Sequence, residues 1–295
     1  MTLREAYNYG VEQLEAEGIE NAGIDVRILL EDICSIDREE LFIKPDRGLS
    51  RKDTESFINA VNRRMGHYPV QYITGKQDFM GLTFSVNQDV LIPRQDTEIL
   101  VEEVLKELSD GSRILDMCTG SGCILLSLLH YSNECEGVGV DVSEDALRVA
   151  KDNAGRLSLD ETFDMLFEGK SDRKHIDPEK IVFLESNLFN DVRGKFDIIV
   201  SNPPYIRSDV IPTLMEEVRD YEPHLALDGS EDGLHFYREI IKKSPEYLSG
   251  GGKLFFEIGY DQAEDVVALM EEAGFKDIKV VQDYSHLDRV VWGTL

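Results

Sequence analysis

Ile114-Leu115-Asp116-Met117-Cys118-Thr119-Gly120-Ser121-Gly122 is the stretch that decides the fold. Its first four residues read as a short buried strand, and the two glycines make a turn where the backbone can approach a ligand closely. Residues 123–130 continue as an apolar helix whose N-terminus opens on that turn. A second strand, Gly137-Val138-Gly139-Val140-Asp141, ends in a carboxylate. From residue 113 onward strands and helices alternate. A helix capped by Ser143 runs through Asn153, strands follow over 181–184 and 196–200, then a helix over 234–248. A strand over 253–258, a helix over 261–273 and a closing pair, 279–282 with 289–294, complete the pattern. Such alternation predicts an α/β fold, a mainly parallel Rossmann-like sheet with helices on both faces. Asp141 lies 19 residues after Gly122, where an acid takes the hydroxyls of a ribose. The pair therefore reads as a nucleoside-binding crevice. A nicotinamide enzyme would use similar parts, but Asp116-x-Cys118-x-Gly120-x-Gly122 is not a full G-x-G-x-x-G and makes a poor diphosphate cradle.

The fourth strand, Phe196-Asp197-Ile198-Ile199-Val200, runs into Ser201-Asn202-Pro203-Pro204-Tyr205. A residue before proline is pushed out of the helical region, so Asn202 and Pro203 are both held extended. Neither proline has a backbone N–H. The corner is stiff, rich in acceptors and poor in donors. The Asn202 side-chain oxygen and the Pro203 carbonyl can each accept a hydrogen bond, and the Tyr205 ring can offer a flat face. A planar NH2 group suits such a slot. An isolated Pro-Pro is most simply a strand-ending turn; directly after a buried strand, at the carboxyl edge that carries the nucleoside crevice, the functional reading is the stronger.

The chain has 295 residues, 42% of them hydrophobic, enough for one large domain and a small one. Met1-Thr2-Leu3-Arg4-Glu5 runs straight into an amphipathic pattern rather than a leader, and no apolar run approaches membrane-spanning length. Cys34, Cys118, Cys123 and Cys135 have no CxxC spacing and no histidine cluster beside them, so they read as reduced thiols of a cytoplasmic protein, with neither a metal site nor a disulfide framework. The formal net charge is −27. Nucleic-acid binding depends on Lys and Arg neutralising phosphates, so a body this acidic points away from a direct nucleic-acid partner. A host with a generally acidic proteome would give the same total.

Upstream, Thr2 and Glu5 have capping-box spacing, and Leu3, Ala6, Tyr7, Gly10, Val11 and Leu14 share a helical face. Val26, Leu29, Leu30 and Ile33 form a second stripe. A short helix over 38–43 stops near Pro45, and Ser50 with Asp53 starts another whose stripe is Phe57, Ile58, Val61 and Met65. Residues 1–68 read as a helical bundle, either plain core packing or a partner-docking module. Residues 69–93 read as a β-hairpin linker, with strands at 71–75 and 79–86, and residues 94–295 as the main domain. Residues 157–180, with Lys170, Arg173, Lys174 and His175 together, read as a polar surface insertion or, more weakly, a basic contact patch.

Glycine turn, strand-end acid and Asn-Pro-Pro-Tyr together resemble the class I S-adenosylmethionine-dependent methyltransferases that act on amino groups. The resemblance narrows further. Gln71-Tyr72-Ile73-Thr74-Gly75, Ile92-Pro93-Arg94-x-Asp96-Thr97-Glu98, Ile114-Leu115-Asp116, Val200-Ser201-Asn202-Pro203-Pro204-Tyr205-Ile206, and Leu225-Ala226-Leu227 followed by Glu231-Asp232-Gly233-Leu234 are similar to the bacterial release factor glutamine methyltransferases, the PrmC/HemK type. The resemblance spans nearly the whole chain. It implies transfer of a methyl group from S-adenosylmethionine to the side-chain amide of the glutamine in the Gly-Gly-Gln motif of class 1 peptide release factors, with the bundle and hairpin helping to hold the factor. It implies that Cys118, Thr119, Gly120, Ser121 and Gly122 pass under the methionine part of the cofactor, that Asp141 holds the ribose, and that Leu188 stands on the adenine side. Asn202, Pro203, Pro204 and Tyr205 would hold the glutamine, with Asn202 also facing the cofactor. Two departures stand out: the family's first turn glycine is Cys118 here, and its usual Asp-Trp-Phe is Asn187-Leu188-Phe189. Both predict altered cofactor affinity. The competing readings are a ribosomal-protein glutamine methyltransferase, an exocyclic-amine methyltransferase of nucleic acid, a nicotinamide oxidoreductase and a non-catalytic nucleoside-binding adaptor.

Overall fold

The computed structural model describes residues 1–159 and 177–295, and the Lys170, Arg173, Lys174 and His175 cluster lies outside the described residues. The chain divides into two compact units, Met1–Lys76 with Met215–Tyr221, and Gln77–Leu214 with Glu222–Leu295.

The first unit contains α1 (Leu3–Ala16), α2 (Ala22–Cys34), α3 (Arg38–Ile43), α4 (Arg51–Met65) and α5 (Val70–Thr74). Thr2 and Glu5 form the expected capping box on α1, and Ser50 accepts from the Asp53 N–H at the start of α4. The apolar stripes meet in one core of Leu3, Ala6, Leu14, Val26, Leu29, Leu30, Phe57 and Val61. Residues 71–75, expected as a strand, are helical instead. Pro69 caps α5 with φ −54°, and Gly75 closes it in the left-handed region at φ +72°. A five-residue run bounded by Pro and Gly is too short for its burial pattern to separate a period of 2 from 3.6. The segment Met215–Tyr221 joins this unit although it is distant in sequence. The Arg64 guanidinium, buried, donates to Asp25 at 2.6 Å and to Glu217 at 2.7 Å, and the Tyr221 hydroxyl donates to the Gly66 carbonyl at 2.6 Å.

In the second unit, β1 (Lys76–Phe79) and β2 (Leu82–Ser85) form a hairpin; α6 (Gln95–Glu107), β3 (Arg113–Met117), α7 (Cys123–Tyr131), β4 (Glu136–Asp141), α8 (Glu144–Leu159), β5 (Ile181–Glu185) and β6 (Phe196–Ser201) follow. After α9 (Glu216–Tyr221), which belongs with the first unit, come α10 (His235–Lys243), β7 (Leu248–Glu257), α11 (Ala263–Glu272), β8 (Lys276–Gln282) and β9 (Asp288–Thr294). The expected 69–93 linker is thus divided between the units. Phe79, Leu82 and Phe84 pack in the same core as Ile99, Leu100, Ile124 and Phe255, which fastens the hairpin to the sheet unit.

Among the described residues the main sheet has the order β5-β4-β3-β6-β7-β9-β8. The first five strands are parallel, and β9 pairs antiparallel with both β7 and β8. The α/β reading therefore holds, with a parallel sheet closed by an antiparallel pair. The expected helix over 234–248 stops at Lys243, because Pro245 cannot continue it and the chain makes a single 3-10 turn over Ser244–Glu246. Strand β7 then starts earlier than expected, running through Gly250, Gly251 and Gly252.

Candidate active site

Chain order reverses direction across the sheet between β3 and β6, and ligands of open α/β sheets bind outside the carboxyl ends of the strands at such a point. Asp116 is in register with Val200 and Met117 with Ser201. The two motifs read from the sequence, beginning at Cys118 and at Asn202, therefore leave neighbouring strands side by side. The Ser201 hydroxyl donates to the Met117 carbonyl at 2.6 Å and ties the strand ends together.

Backbone geometry and buried side chains set the glycine turn. Cys118, Gly120 and Gly122 have φ of +63°, +54° and +79°. The Thr119 N–H donates to the Val140 carbonyl, and its hydroxyl donates to Asp116 Oδ2 at 2.6 Å. Asn153 on α8 donates to the Ser121 carbonyl at 2.9 Å while also accepting from and donating to the Ser85 backbone. One buried amide so holds the turn, the hairpin and α8 in register. Asp141 is the turn's other anchor: its Oδ2 accepts from the Gly120 N–H at 2.9 Å and its Oδ1 from the Ser143 N–H at 3.0 Å. Burial raises its pKa, and those backbone donors pull it back. Each of its oxygens keeps a lone pair for a further donor.

Asp116, fully buried, has one oxygen on Thr119 and Oδ1 without a partner among the described residues. Burial pushes its carboxyl up to about 7. Burial likewise raises the Cys118 thiol, and raises Cys123 to about 12, so neither supplies a thiolate. All four cysteines are free.

The acceptor corner is clamped from behind. The Tyr205 carbonyl accepts from Gln262 Nε2 at 3.1 Å, and the same nitrogen donates to the Gly233 carbonyl at 3.2 Å. Gln262 Oε1 in turn accepts from the Gly259 N–H at 2.9 Å. Gly229 and Gly233 press on the same residue: a Cβ at Gly233 would stand 2.5 Å from the Tyr205 carbonyl oxygen, and one at Gly229 would stand 2.7 Å from its Cα. Nothing larger than glycine fits at either place. Asn202 donates through Nδ2 to Thr97 Oγ1 at 3.3 Å.

Together these elements line a crevice of about 140 Å³. Of the residues singled out in the sequence, Cys118, Thr119, Gly120, Ser121, Asp141, Leu188, Asn202 and Pro204 form its walls. Gly122, Pro203 and Tyr205 do not. Gly122 starts α7 and faces Leu126 and Ala150. Pro203 is buried. The Tyr205 ring, expected to offer a flat face, packs against the core instead and sends its hydroxyl to Glu257 Oε1 at 3.3 Å. Leu188 reaches the wall from a left-handed backbone, φ +50°, with the Ser186 hydroxyl donating to its carbonyl.

Several wall or support residues have no role assigned in the sequence reading, although Arg94, Thr97, Leu225 and Ala226 stand in motifs it quotes. Arg94 lines the crevice and pairs with the buried carboxylate of Glu222, which also takes the Ile92 N–H. Leu225, Ala226 and Phe236 add apolar surface. Thr97 and Glu257 stand behind Asn202 and Tyr205. A charged residue closing the apolar run Lys253-Leu254-Phe255-Phe256-Glu257-Ile258 was the available signal for the last of these.

Comparison with known proteins gives a consistent result. The PrmC N-terminal domain matches residues 5–75 and the methyltransferase small domain matches residues 94–230. The release factor glutamine methyltransferase of Clostridium acetobutylicum is 43% identical, covering 90% of this chain and 89% of that protein. The Geobacter sulfurreducens protein of the same name is 39% identical, covering 100% of this chain and 97% of its own. A solved protein-(glutamine-N5) methyltransferase (release factor-specific) from Alicyclobacillus acidocaldarius is 29% identical over 72% of this chain and 98% of that one, with a TM-score of 0.40. With such identity sustained from end to end, this chain belongs to the release factor glutamine methyltransferase family.

Proposed function

We propose that the protein transfers the methyl group of S-adenosylmethionine to the side-chain amide nitrogen of the glutamine in the Gly-Gly-Gln loop of class 1 peptide release factors. One observation carries the reading: a donor-poor corner, Asn202-Pro203-Pro204, leaves the sheet beside the Cys118–Gly122 turn, and its Asn202 and Pro204 line one crevice with Asp141. Its relatives bear the release factor name. The residues fit the cofactor. Asp141 has acceptor capacity beyond its two backbone donors, as a ribose requires, and Leu188, Val142 and Phe236 give apolar wall for an adenine. When bound, S-adenosylmethionine supplies an electrophilic methyl group on a sulfonium.

The protein's own part is positioning. A carboxamide nitrogen is a weak nucleophile because its lone pair is delocalised. Acceptors at Asn202 Oδ1 and the Pro203 carbonyl take its two hydrogens, add electron density and fix its direction. Holding reacting atoms about 3–3.5 Å apart removes most of the entropic part of the barrier. Prolines contribute by absence, since no backbone N–H competes for the acceptors. The helical unit serves as the docking module for the release factor, which meets the protein in the cytoplasm without a nucleic-acid contact.

Incubating the protein with labelled methyl donor and a purified release factor, then locating the label by mass spectrometry, tests this. The label is expected on the Gly-Gly-Gln glutamine, and Asn202→Ala should lose turnover while keeping cofactor affinity. No label on the release factor, label at a residue other than that glutamine, or near-normal turnover in Asn202→Ala, overturns the assignment.

A further inference from the structure

Two features have no part in the chemistry described so far: Thr97, from the motif Ile92-Pro93-Arg94-Gln95-Asp96-Thr97-Glu98, and Glu257, a charged residue 2% exposed at the end of β7. They meet behind Asn202. Asn202 is useful only if its amide presents Oδ1 to the crevice, because Nδ2 would offer a donor where an acceptor is needed. An amide has nearly the same shape in both orientations, so its hydrogen-bond partners decide. We propose that Thr97 and Glu257 are positioning residues that fix the polarity of the Asn202 amide, turning its oxygen to the crevice.

The one proton of the Thr97 hydroxyl decides the orientation. The Glu257 carboxylate takes the Tyr205 hydroxyl on Oε1 at 3.3 Å, and its Oε2 has no hydrogen-bond partner among the described residues. Thr97, itself 3% exposed, faces that carboxylate and helps to hold its pKa down. An ionised carboxylate can only accept, so the Thr97 proton turns toward Glu257. What Thr97 then shows to Asn202 is a lone pair, and Nδ2 stands 3.3 Å from it. Oδ1 is left on the crevice side. With Glu257 protonated the chain can run backwards: the carboxyl donates to Thr97, the Thr97 proton points at Asn202, and the amide is asked for its oxygen.

The groups facing Glu257 are Thr97 and Asp96 from α6, Tyr205 from the corner, Arg289 from β9, Tyr237 from α10 and Cys123 from α7. Burial raises the Glu257 pKa, while Thr97, Arg289 and Tyr205 oppose that rise. The polarity of Asn202 is accordingly coupled to one buried carboxyl and strengthens as pH rises through its titration.

The kinetic side of this inference rests on the glutamine-transfer reading; the structural side does not, and the test separates them. In the full-length 15N-labelled protein, the Asn202 side-chain amide signal, assigned by its loss in Asn202→Asp, should titrate with Glu257. The titration should vanish in Thr97→Val and Glu257→Gln and persist in Thr97→Ser, which keeps the hydroxyl. With a release factor as substrate, Thr97→Val should lower kcat about 100-fold, the scale of a small misplacement near reacting atoms. Its affinity for S-adenosylhomocysteine should be unchanged, and Thr97→Ser should recover the rate. An Asn202 signal that titrates identically in Thr97→Val and wild type overturns the inference, as does wild-type kcat in that variant. Absence of any methyl transfer by the wild-type protein would overturn the functional reading alone, since the amide titration still decides this one.

Discussion

Replacing Asp116 by Asn isolates the energetic consequence of burying an acid beneath the glycine turn. The side chain is fully buried, one oxygen lacks a donor, and burial lifts its pKa from 3.8 to about 7. The sign follows from where the proton sits. Between those values the folded protein holds it and the unfolded chain has released it, so raising the pH favours unfolding. The stability contribution is complete below pH 3.8, falls through the window, and is flat above about 7. Each pH unit is worth about 1.4 kcal/mol, so from pH 5 to 7 the wild type should lose about 3 kcal/mol through this group alone. Asn has the same shape, can still accept from Thr119, and does not titrate. Urea unfolding at pH 5, 6, 7 and 8 reads the difference. The single tryptophan, Trp292, is the probe, because it is buried against Phe255 in the same unit. Asp141 and Glu257 are also raised by burial and slope in the same direction, but they are present in both proteins and largely cancel. The variant should gain about 3 kcal/mol relative to wild type between pH 5 and 8. A stability difference independent of pH would refute the reasoning.

Three further changes probe the crevice. Asp141→Asn places an NH2 where a backbone N–H of Gly120 or Ser143 now donates; losing one bond to a charged acceptor, about 1.5–3 kcal/mol, should weaken S-adenosylhomocysteine binding about 10- to 100-fold by calorimetry. Cys118→Gly relieves a left-handed backbone worth about 1 kcal/mol and removes a side chain from the crevice wall, so cofactor affinity should rise; equal or weaker binding would show that the thiol does not crowd the site. Gln262→Leu leaves the Tyr205 and Gly233 carbonyls without their donor, which should cost about 2–4 kcal/mol in urea unfolding and lower kcat more than cofactor affinity.

What could be read from the residues, and what could not, divides along a physical line. Strands β3, β4 and β6 announce themselves because both faces of a central parallel strand are covered, which forces an apolar run. The capping residues Thr2, Ser50 and Ser143 are legible because each satisfies an N–H three residues on. The strand expected over 71–75 is the helix Val70–Thr74 instead, because Pro69 and Gly75 bound a helix and a strand equally well. The early start of β7 was hidden by Gly250, Gly251 and Gly252, which ordinarily mark a loop. Site residues show the same division. Cys118 through Gly122, Asp141 and Asn202 are local signals, recognisable from their position after a strand. Glu257, Gln262 and Thr97 act through partners far along the chain, and no local pattern reports a hydrogen bond between positions 205 and 262.

The behaviour of Tyr205 shows why this distinction matters for function. A stiff acceptor corner could be made by two prolines alone, yet prolines fix only their own φ and leave the corner free to swing as a body. Here the swing is removed by groups that the motif does not contain: Glu257 on the hydroxyl, Gln262 on the carbonyl, and Gly229 and Gly233 against the backbone. Each of the two glycines is needed for closeness, because a Cβ at either would meet Tyr205 backbone atoms within 3 Å. The tyrosine that ends Asn-Pro-Pro-Tyr is therefore the anchor by which the rest of the unit holds the corner still. Positioning is most of what this chemistry asks of the protein, and a displacement of about 1 Å near reacting atoms costs about 100-fold in rate. In the proposed reaction the acceptors are Asn202 and Pro203, while the accuracy that would make them useful is set on the far side of the corner.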